Sequence, residues 1–422
     1  MLDINIIREN PELIKKNQIR AGRKASDVDE ILKIDKKWRE KKYESDKLRA
    51  KRNQISQEIN EAKKRKDDKL REELIKEAKS IPDKIKLLDE ELDVLIKKRE
   101  DLLRTLPNII SKYTPDGKDF RDNKEIKKIG KPKKFSFKIM NHVEICEKLG
   151  LADFDSSAKV SGNGFYYLKN ELALLNQSLI RFAIEHMKKK KYQYIETPLM
   201  LRKNIFAEDE KTFSNSIYEV KDSDMALIGT AEHALLAMHK ESVFTEKELP
   251  KKYFSYSMCF RKEIGSHGIN EKGLWRTHQF NKVEQFIFCI PEDSEKLYNE
   301  LLKNSEEILK ELELPYRVIE ICTGDLAPWK HRSHDLEIWR PTTKDYGEVM
   351  SLSNITDYQA RDLNIRFRRK DHNEFVHTLN NTALATSRIL VAILENNQNA
   401  DKTINIPRVL WKYTKFKKIG KK

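Results

Sequence analysis

The sequence predicts an α+β protein in which an N-terminal antiparallel helical hairpin precedes a domain built on an antiparallel β-sheet flanked by helices. Three observations carry this. From about Ser26 to Leu106 the chain is densely charged, contains no Gly and one Pro, and places apolar side chains at seven-residue intervals. Past residue 135, short segments rich in aromatic and β-branched residues alternate or run apolar between Gly and Pro. Other segments there carry the spacing of amphipathic helices.

The hairpin comes first. In its second half Leu74, Ile81, Leu88, Leu95 and Leu102 recur every seven residues, with Ala78, Ile85, Leu92 and Leu106 between them, and Arg99 breaks the set. In its first half Ile31, Ile34, Trp38, Leu48, Ile55, Ile59 and Ala62 follow the same scheme, with Lys41, Ser45 and Arg52 as polar exceptions. The charged "KKRKDDK" between them reads as a solvated turn. Two heptad segments joined in this way form a long coiled-coil arm over about residues 27–104. A helix pair lying on a globular body would need a wider apolar stripe. Pro82 lacks a backbone donor, so it either kinks the second helix or starts its regular part. Lys33 to Lys66 carries 14 Lys and Arg against 6 Asp and Glu. That excess suits a phosphate backbone, and it also suits a plain solvated face.

Residues 111–135 mix Pro, Gly and scattered charge without periodicity and read as a linker. This divides the 422 residues into an N-terminal domain over 1–110, the linker, and a larger domain over 136–422. In the larger domain "GFYYLKNELALLNQSLIRFAIEHM" reads as a strand followed by a helix. "YQYIETPLM", "DMALIGTAEHALLAMH", "YFSYSMCF", "QFNKVEQFIF", "YRVIEIC", "SHDLEIWRP" and "YGEVMSLSNI" read as strands. "SEKLYNELLKNSEEILKELEL" and "NTALATSRILVAILENNQ" read as helical.

Composition narrows the function classes. The net charge of +15 fits a polyanionic partner, as would any Lys-rich proteome. Cys146, Cys259, Cys289 and Cys322 are scattered, so neither a disulfide framework nor a structural zinc site is signalled. "MLDINIIRENPELIKK" is too charged for a signal peptide, and no run of about 18 apolar residues occurs. These features predict a cytoplasmic protein that engages no membrane.

The most informative stretch is "CFRKEIGSHGINEKGLWRTHQFNKVEQFIF", residues 259–288. It reads as two antiparallel strands around a loop holding Gly265, Gly268 and Gly273. Strand alternation puts Arg261 and Glu263 on one face, and Phe280, Lys282 and Glu284 on one face of the return strand. Such a face is either solvated or a ligand platform, with a cation for phosphate, an aromatic for a flat ring and acids for amines.

The ordered set of "MLDINIIRENPE", the helical arm, "KVSGNGFYYLK", "TAE", "FRKEIGS" with "HQFNKVE", "SNITDYQAR" and "HTLNNTALATSR" resembles the class II aminoacyl-tRNA synthetases, and within them the bacterial-like seryl-tRNA synthetases. The resemblance covers essentially the whole chain. It implies a class II catalytic domain, serine activation by ATP, and transfer of serine to the 3′ end of tRNA(Ser); it leaves tRNA(Sec) open as a further acceptor. The hairpin resembles motif 2, which implies that Arg261 holds the α-phosphate of ATP, Glu263 the adenine amine, Phe280 the adenine ring and Glu284 the serine. Lys262 and Thr277 belong to the same implied ATP site. "TAE" resembles the loop that binds the substrate ammonium, giving Thr230, Ala231 and Glu232, although Thr230 could equally cap the helix after it. "HTLNNTALATSR" resembles motif 3, with Arg388 on the γ-phosphate and Thr382 on the serine hydroxyl. "GEVMS" resembles a family loop in which Glu348 and Ser351 hold Mg²⁺ between the phosphates, flanked by Val349 and Met350.

"KKYQYIETPLM" resembles motif 1, whose Pro198 lies at a dimer interface. A homodimer that binds tRNA through the arm of the opposite subunit is therefore implied. Met350 stands where the family has a small residue, Lys191 where it has Gly, and "APWKHRS" departs from commoner members. Two other readings are a synthetase-like paralogue that loads a different carrier and a non-catalytic RNA-binding protein. The basic arm argues against the first, and the retained Arg261, Glu263, Glu348 and Arg388 argue against the second.

Overall fold

A computed structural model describes residues 1–206, 216–263 and 272–420. Gly265 and Gly268 lie outside the described residues. The chain divides into two compact units, Met1–Pro107 and Asn108–Lys422.

The first unit is all helix: α1 (Ile4–Glu9), α2 (Pro11–Arg20), α3 (Ser26–Arg65), α4 (Asp68–Lys79) and α5 (Ile81–Thr105). The turn after α3 is capped at both sides. Lys66 adopts a left-handed φ of 59°, and the Asp67 carboxylate accepts from the Leu70 amide at 3.0 Å to start α4. Pro82 lies in the first turn of α5, where its missing N–H costs no helical bond, so it starts that helix. The heptads close as expected: Ile55, Leu74, Ile81 and Ile85 are buried together, with Leu48, Ile59 and Ala78 packed against them.

Three of the polar breaks in the seam, Ser45, Lys41 and Arg99, pair across it. Ser45 donates to Asp89 at 3.3 Å, and Lys41 meets Glu91 at 3.0 Å. Arg99 donates to Asp35 at 2.8 Å and lies 4.8 Å from the Trp38 ring centroid. Arg8 grips the same carboxylate with two bonds of 2.8 and 2.7 Å, and Arg39 adds a third partner at 3.1 Å. The Asp35 side chain is 0% exposed. Desolvation pushes its carboxyl up, but the bonds from Arg8 and Arg99 prevail and hold it below the usual range.

The second unit is organised by one eight-stranded sheet. Its strands are β1 (Lys124–Ile129), β2 (Gln193–Tyr194), β3 (Lys251–Phe260), β4 (Gln279–Cys289), β5 (Tyr316–Glu320), β6 (Arg332–Arg340), β7 (Asp345–Thr356) and β8 (His377–Ala385), in the spatial order β1-β5-β6-β7-β8-β4-β3-β2. All neighbours are antiparallel except the short β2–β3 pair, which is parallel. The main core contains Leu179, Leu301, Ile308, Leu352, Leu379 and Leu390, contributed by the sheet and by helices Asn170–Lys189, Ser294–Glu311 and Thr386–Asn396. Among the described residues no helix is long and apolar enough to cross a membrane.

Four sequence expectations change. The stretch read as a linker contains β1, an edge strand with five of its six residues exposed, so it shows no apolar alternation. In "DMALIGTAEHALLAMH" only Met225–Leu227 is strand, and Ala231–Ala237 is helix because Thr230 caps it. The segment from Asn381 to Ala385, read as helical, completes β8, and the helix begins at Thr386. Arg261 and Glu263 lie beyond the end of β3, and Glu263 has a φ of 51°, so strand alternation does not place them. Lys191 adopts a φ of 63°, the conformation glycine favours, so the turn before β2 forms with lysine.

Replacing Asp35 with Ala should strand Arg99 and Arg8 and destabilise the first unit by about 3 kcal/mol or more, measured by urea unfolding. Because the folded carboxyl is depressed, this stabilisation is present above the ordinary carboxylate range and is lost as pH falls through the folded value. An Asp35→Asn variant should lose less stability than wild type over that acid range.

Candidate active site

Strand β4 has two different faces. Val283, Ile287 and Cys289 enter the main core, and Gln285 donates to Ser305 at 3.1 Å. On the other face Phe286 and Phe288 enter a second apolar cluster, while Phe280, Lys282 and Glu284 line a cavity of about 280 Å³. Phe280, Lys282 and Glu284 are all buried, so this face is turned to the cavity and not to open solvent.

One end of the cavity is acidic. Glu284 is only 1% exposed and pairs with Lys282 at 2.7 Å. Lys282 also donates to the Thr230 hydroxyl at 2.6 Å. Thr230 caps the helix that follows it, as one reading of "TAE" expects, and it lines the cavity as well. Glu232 accepts from Gln359 at 2.8 Å and from Asn380 at 2.9 Å. Burial, then the charge of Glu284, pushes its carboxyl above the usual range. Thr382 donates to Glu284 at 3.4 Å. Two acids and two hydroxyls converge here, a set that suits a small molecule with an ammonium and a hydroxyl.

The other end is cationic and aromatic. The Arg261 guanidinium lies 5.3 Å from the Phe280 ring centroid and donates to the Gly229 carbonyl at 3.1 Å. Glu263 accepts from Arg276 at 3.1 Å, and Thr277 lines the same wall. Arg388, in the first turn of its helix, donates to the Glu348 backbone carbonyl at 2.7 Å, to its carboxylate at 3.2 Å and to the Trp275 carbonyl at 3.2 Å.

Glu348 and Ser351 are three residues apart, so a regular strand would send them to opposite faces. The β6–β7 register shifts between them: Met350 pairs with Leu336 and Glu348 with Glu337, leaving Val349 as the extra residue. This bulge turns Glu348, Val349 and Ser351 to the cavity together. Nearby, Asp335 pairs with Ser351 in register, and its Oδ1 is buried without a hydrogen-bond partner. Among the described residues no group of three or more His, Cys, Asp or Glu is arranged for a metal. A hard ion here would rest on Glu348, Ser351 and the ligand's own oxygens, which fits Mg²⁺.

Twelve of the expected residues therefore share one cavity: Thr230, Glu232, Arg261, Glu263, Thr277, Phe280, Glu284, Glu348, Val349, Ser351, Thr382 and Arg388. Three do not reach it. Ala231 is buried in the first turn of its helix, Lys262 spends its amide on the Ser216 carbonyl at 2.7 Å, and Met350 is 1% exposed within the main core. The departure at Met350 thus concerns packing behind the sheet. Sequence reasoning missed Trp275, Arg276, Trp329, Lys330 and Asn380, which also line the cavity, and His233, which burial pushes down to about 3.

Comparison with known proteins follows this geometry. Residues 1–110 match the seryl-tRNA synthetase N-terminal domain, and residues 216–397 match the tRNA synthetase class II core domain (G, H, P, S and T). The serine–tRNA ligase of Methanoregula boonei is 44% identical over 98% of each chain. The crystal structure of seryl-tRNA synthetase from Pyrococcus horikoshii complexed with ATP is 45% identical over 99% of both chains, with a TM-score of 0.93.

The chain belongs to the seryl-tRNA synthetase family.

Cytoplasmic serine–tRNA ligase from Naegleria fowleri in complex with AMP extends the likeness, at 34% identity, a TM-score of 0.89 and coverage of 99% of this chain and 98% of that one. Membership of the seryl-tRNA synthetases makes this an ATP-dependent aminoacyl-tRNA ligase with tRNA as a partner. The class II core match spans every residue of the cavity.

Gly347 has a steric role beside this cavity. A Cβ there would fall 2.3 Å from the Trp275 ring, which is stacked under Arg340 at 4.2 Å. Gly347→Ala should displace Trp275 and, through its carbonyl, Arg388. The expected loss of pyrophosphate exchange is on the order of tenfold to a hundredfold. Tryptophan emission should shift with it. A variant matching wild type in both readouts would remove Trp275 from this account.

Proposed function

We propose that the chain activates L-serine with ATP to seryl-adenylate and transfers serine to the 3′ end of tRNA(Ser). One observation carries the reading: a single cavity wall has an acidic, hydroxyl-bearing end at Glu232, Glu284 and Thr382, and a cationic, aromatic end at Arg261, Phe280 and Arg388. The first suits the ammonium and hydroxyl of serine. The second suits a purine nucleotide, and relatives solved with ATP and with AMP support that choice.

In activation a serine carboxylate oxygen attacks the α-phosphorus. The new O–P bond forms as the bond to the β-bridging oxygen breaks, and pyrophosphate leaves with that electron pair. No proton is removed, so the protein's task is to position and to neutralise. Glu232 holds the ammonium, with Thr230 fixing the start of its helix. Glu284 and Thr382 hold the hydroxyl. Phe280 stacks on adenine, Glu263 accepts from its amine, and Thr277 lines the wall beside it. Arg261 meets the α-phosphate and Arg388 the γ-phosphate. Glu348 and Ser351, with Val349 between them, would hold Mg²⁺, which supplies charge at the phosphate oxygens.

The basic first helix of the arm supports a grip on the phosphate backbone of tRNA. The family resemblance adds the long variable arm of tRNA(Ser) as the region held, a homodimer in which the opposite subunit supplies the arm, a cytoplasmic setting and tRNA(Sec) as a second acceptor.

Wild-type protein should exchange pyrophosphate into ATP with serine and without tRNA. Exchange with alanine should be slower on the order of a thousandfold or more, because Glu284 and Thr382 would lose their partner. Replacing residues 44–88 by a short Gly-Ser link keeps the Asp35 clasp and should leave serine-dependent exchange intact while abolishing tRNA charging. Equal exchange with alanine, or normal charging by the shortened arm, would overturn the respective half of the proposal.

A further inference from the structure

The segment "APWKHRS", which the family resemblance leaves without a role, forms part of the cavity wall. It is firmly held. The Asn108 amide donates to the Pro328 carbonyl at 2.7 Å, and the Asn108 side chain donates to the Trp329 carbonyl at 3.0 Å. The His331 ring donates to the Ile109 carbonyl at 2.6 Å, and the Lys330 amide closes a turn onto Ala327 at 2.9 Å. Trp329 and Lys330 line the cavity from this turn.

The Lys330 ammonium donates to the Ser351 hydroxyl at 3.3 Å and to the Ser333 hydroxyl at 3.2 Å. The strand register shows what these two serines mark. Ser351 shares the bulged stretch of β7 with Glu348, at the phosphate end. Ser333 pairs with Ser353, and Ser353 pairs with Asn380, which holds Glu232 at the serine end. Lys330 therefore stands over the boundary between the two ends. Three carboxylates around that boundary, Glu232, Asp335 and Glu348, all feel its charge.

We infer that Lys330 is a catalytic residue that contacts the serine carboxylate and the α-phosphate where they react. The inference rests on the serine-activation reading above. The reaction brings two anions into bonding contact, and Arg261 supplies positive charge from the motif 2 side. A fixed ammonium on the other side lowers the repulsion between nucleophile and phosphate as the O–P bond forms and the bond to pyrophosphate breaks. It takes up and releases no proton. Its anchoring by Asn108 and His331 holds it in place before substrates arrive, so little reorganisation is needed at the reacting atoms.

A merely structural Lys330 would serve only to balance Asp335 and Glu348, and the test separates the two roles. Serine-dependent pyrophosphate exchange is measured for wild type, Lys330→Met and Lys330→Arg. Binding of serine and of serinamide, which lacks the carboxylate, is followed by isothermal titration. Lys330→Met should lower kcat on the order of a hundredfold. It should weaken serine binding on the order of tenfold and leave serinamide binding unchanged, as loss of one charge-assisted bond to the carboxylate requires. Lys330→Arg, which keeps the charge and guards against loss of the fold, should recover part of the rate. Unchanged kcat in Lys330→Met, or equal loss of serine and serinamide binding, would overturn the inference. Absence of serine-dependent exchange in wild type would instead overturn the serine-activation reading itself.

Discussion

The site depends on one buried ion pair. Lys282 and Glu284 lie two residues apart on a central strand, with side chains 7% and 1% exposed and their charges 2.7 Å apart. Removing two charges from water is expensive, and apolar residues of similar size would often be as stable there. The pair does something that apolar residues could not. Lys282 reaches Thr230 and fixes the start of the helix that carries Glu232, while Glu284 is left with an oxygen toward Asn380 at 3.5 Å and the other toward Thr382 at 3.4 Å. Three separate segments are thereby set around one small volume.

The cationic end is built differently. Its residues come from the end of β3, from the first turn of a helix and from a bulged strand, and backbone carbonyls hold two of its arginines. Arg261 is tied to Gly229, and Arg388 to Trp275 and Glu348. A guanidinium that spends some donors on carbonyls keeps others for a phosphate, and its direction is set before the ligand arrives. The bulge at Val349 is the matching device for Glu348 and Ser351, since only the extra residue lets the two face the cavity together. The arm shows related logic far simpler in form: Asp35 gathers Arg8, Arg39 and Arg99 at a break in the heptads. There too a buried charge gives position at a cost in solvation.

Much of this was legible in the sequence. Heptad spacing gave the arm, because a two-helix seam repeats locally. Period-two alternation gave most strands, and the ordered motifs gave the family and twelve of the residues that line the cavity. What was missed has physical causes. β1 lies at the sheet edge, so it lacks an apolar face to betray it. The strand character of residues 381–385 was hidden because small and apolar residues suit a buried strand as well as the helix that follows. Arg261 and Glu263 were assigned to one strand face, whereas a turn with Glu263 at positive φ brings them together. Arg99 looked like an error in the heptads because its partner Asp35 is 64 residues away. Lys330 and Trp275 carry no local signal at all; their roles arise only when strands distant in sequence are set side by side.

The most direct test of the claim that the buried pair organises the site is a double-mutant cycle on it. Lys282→Met, Glu284→Gln and the double variant would be compared with wild type for urea unfolding and for serine binding. If the pair acts as a unit, each single change should cost about 3 kcal/mol of stability, and the loss in the double variant should be smaller than the sum of the two single losses by about 2 kcal/mol or more. Serine binding should be lost in all three. Additive stability effects, with serine binding retained by Lys282→Met, would show that the two charges act independently and that the acidic end is held together by something else.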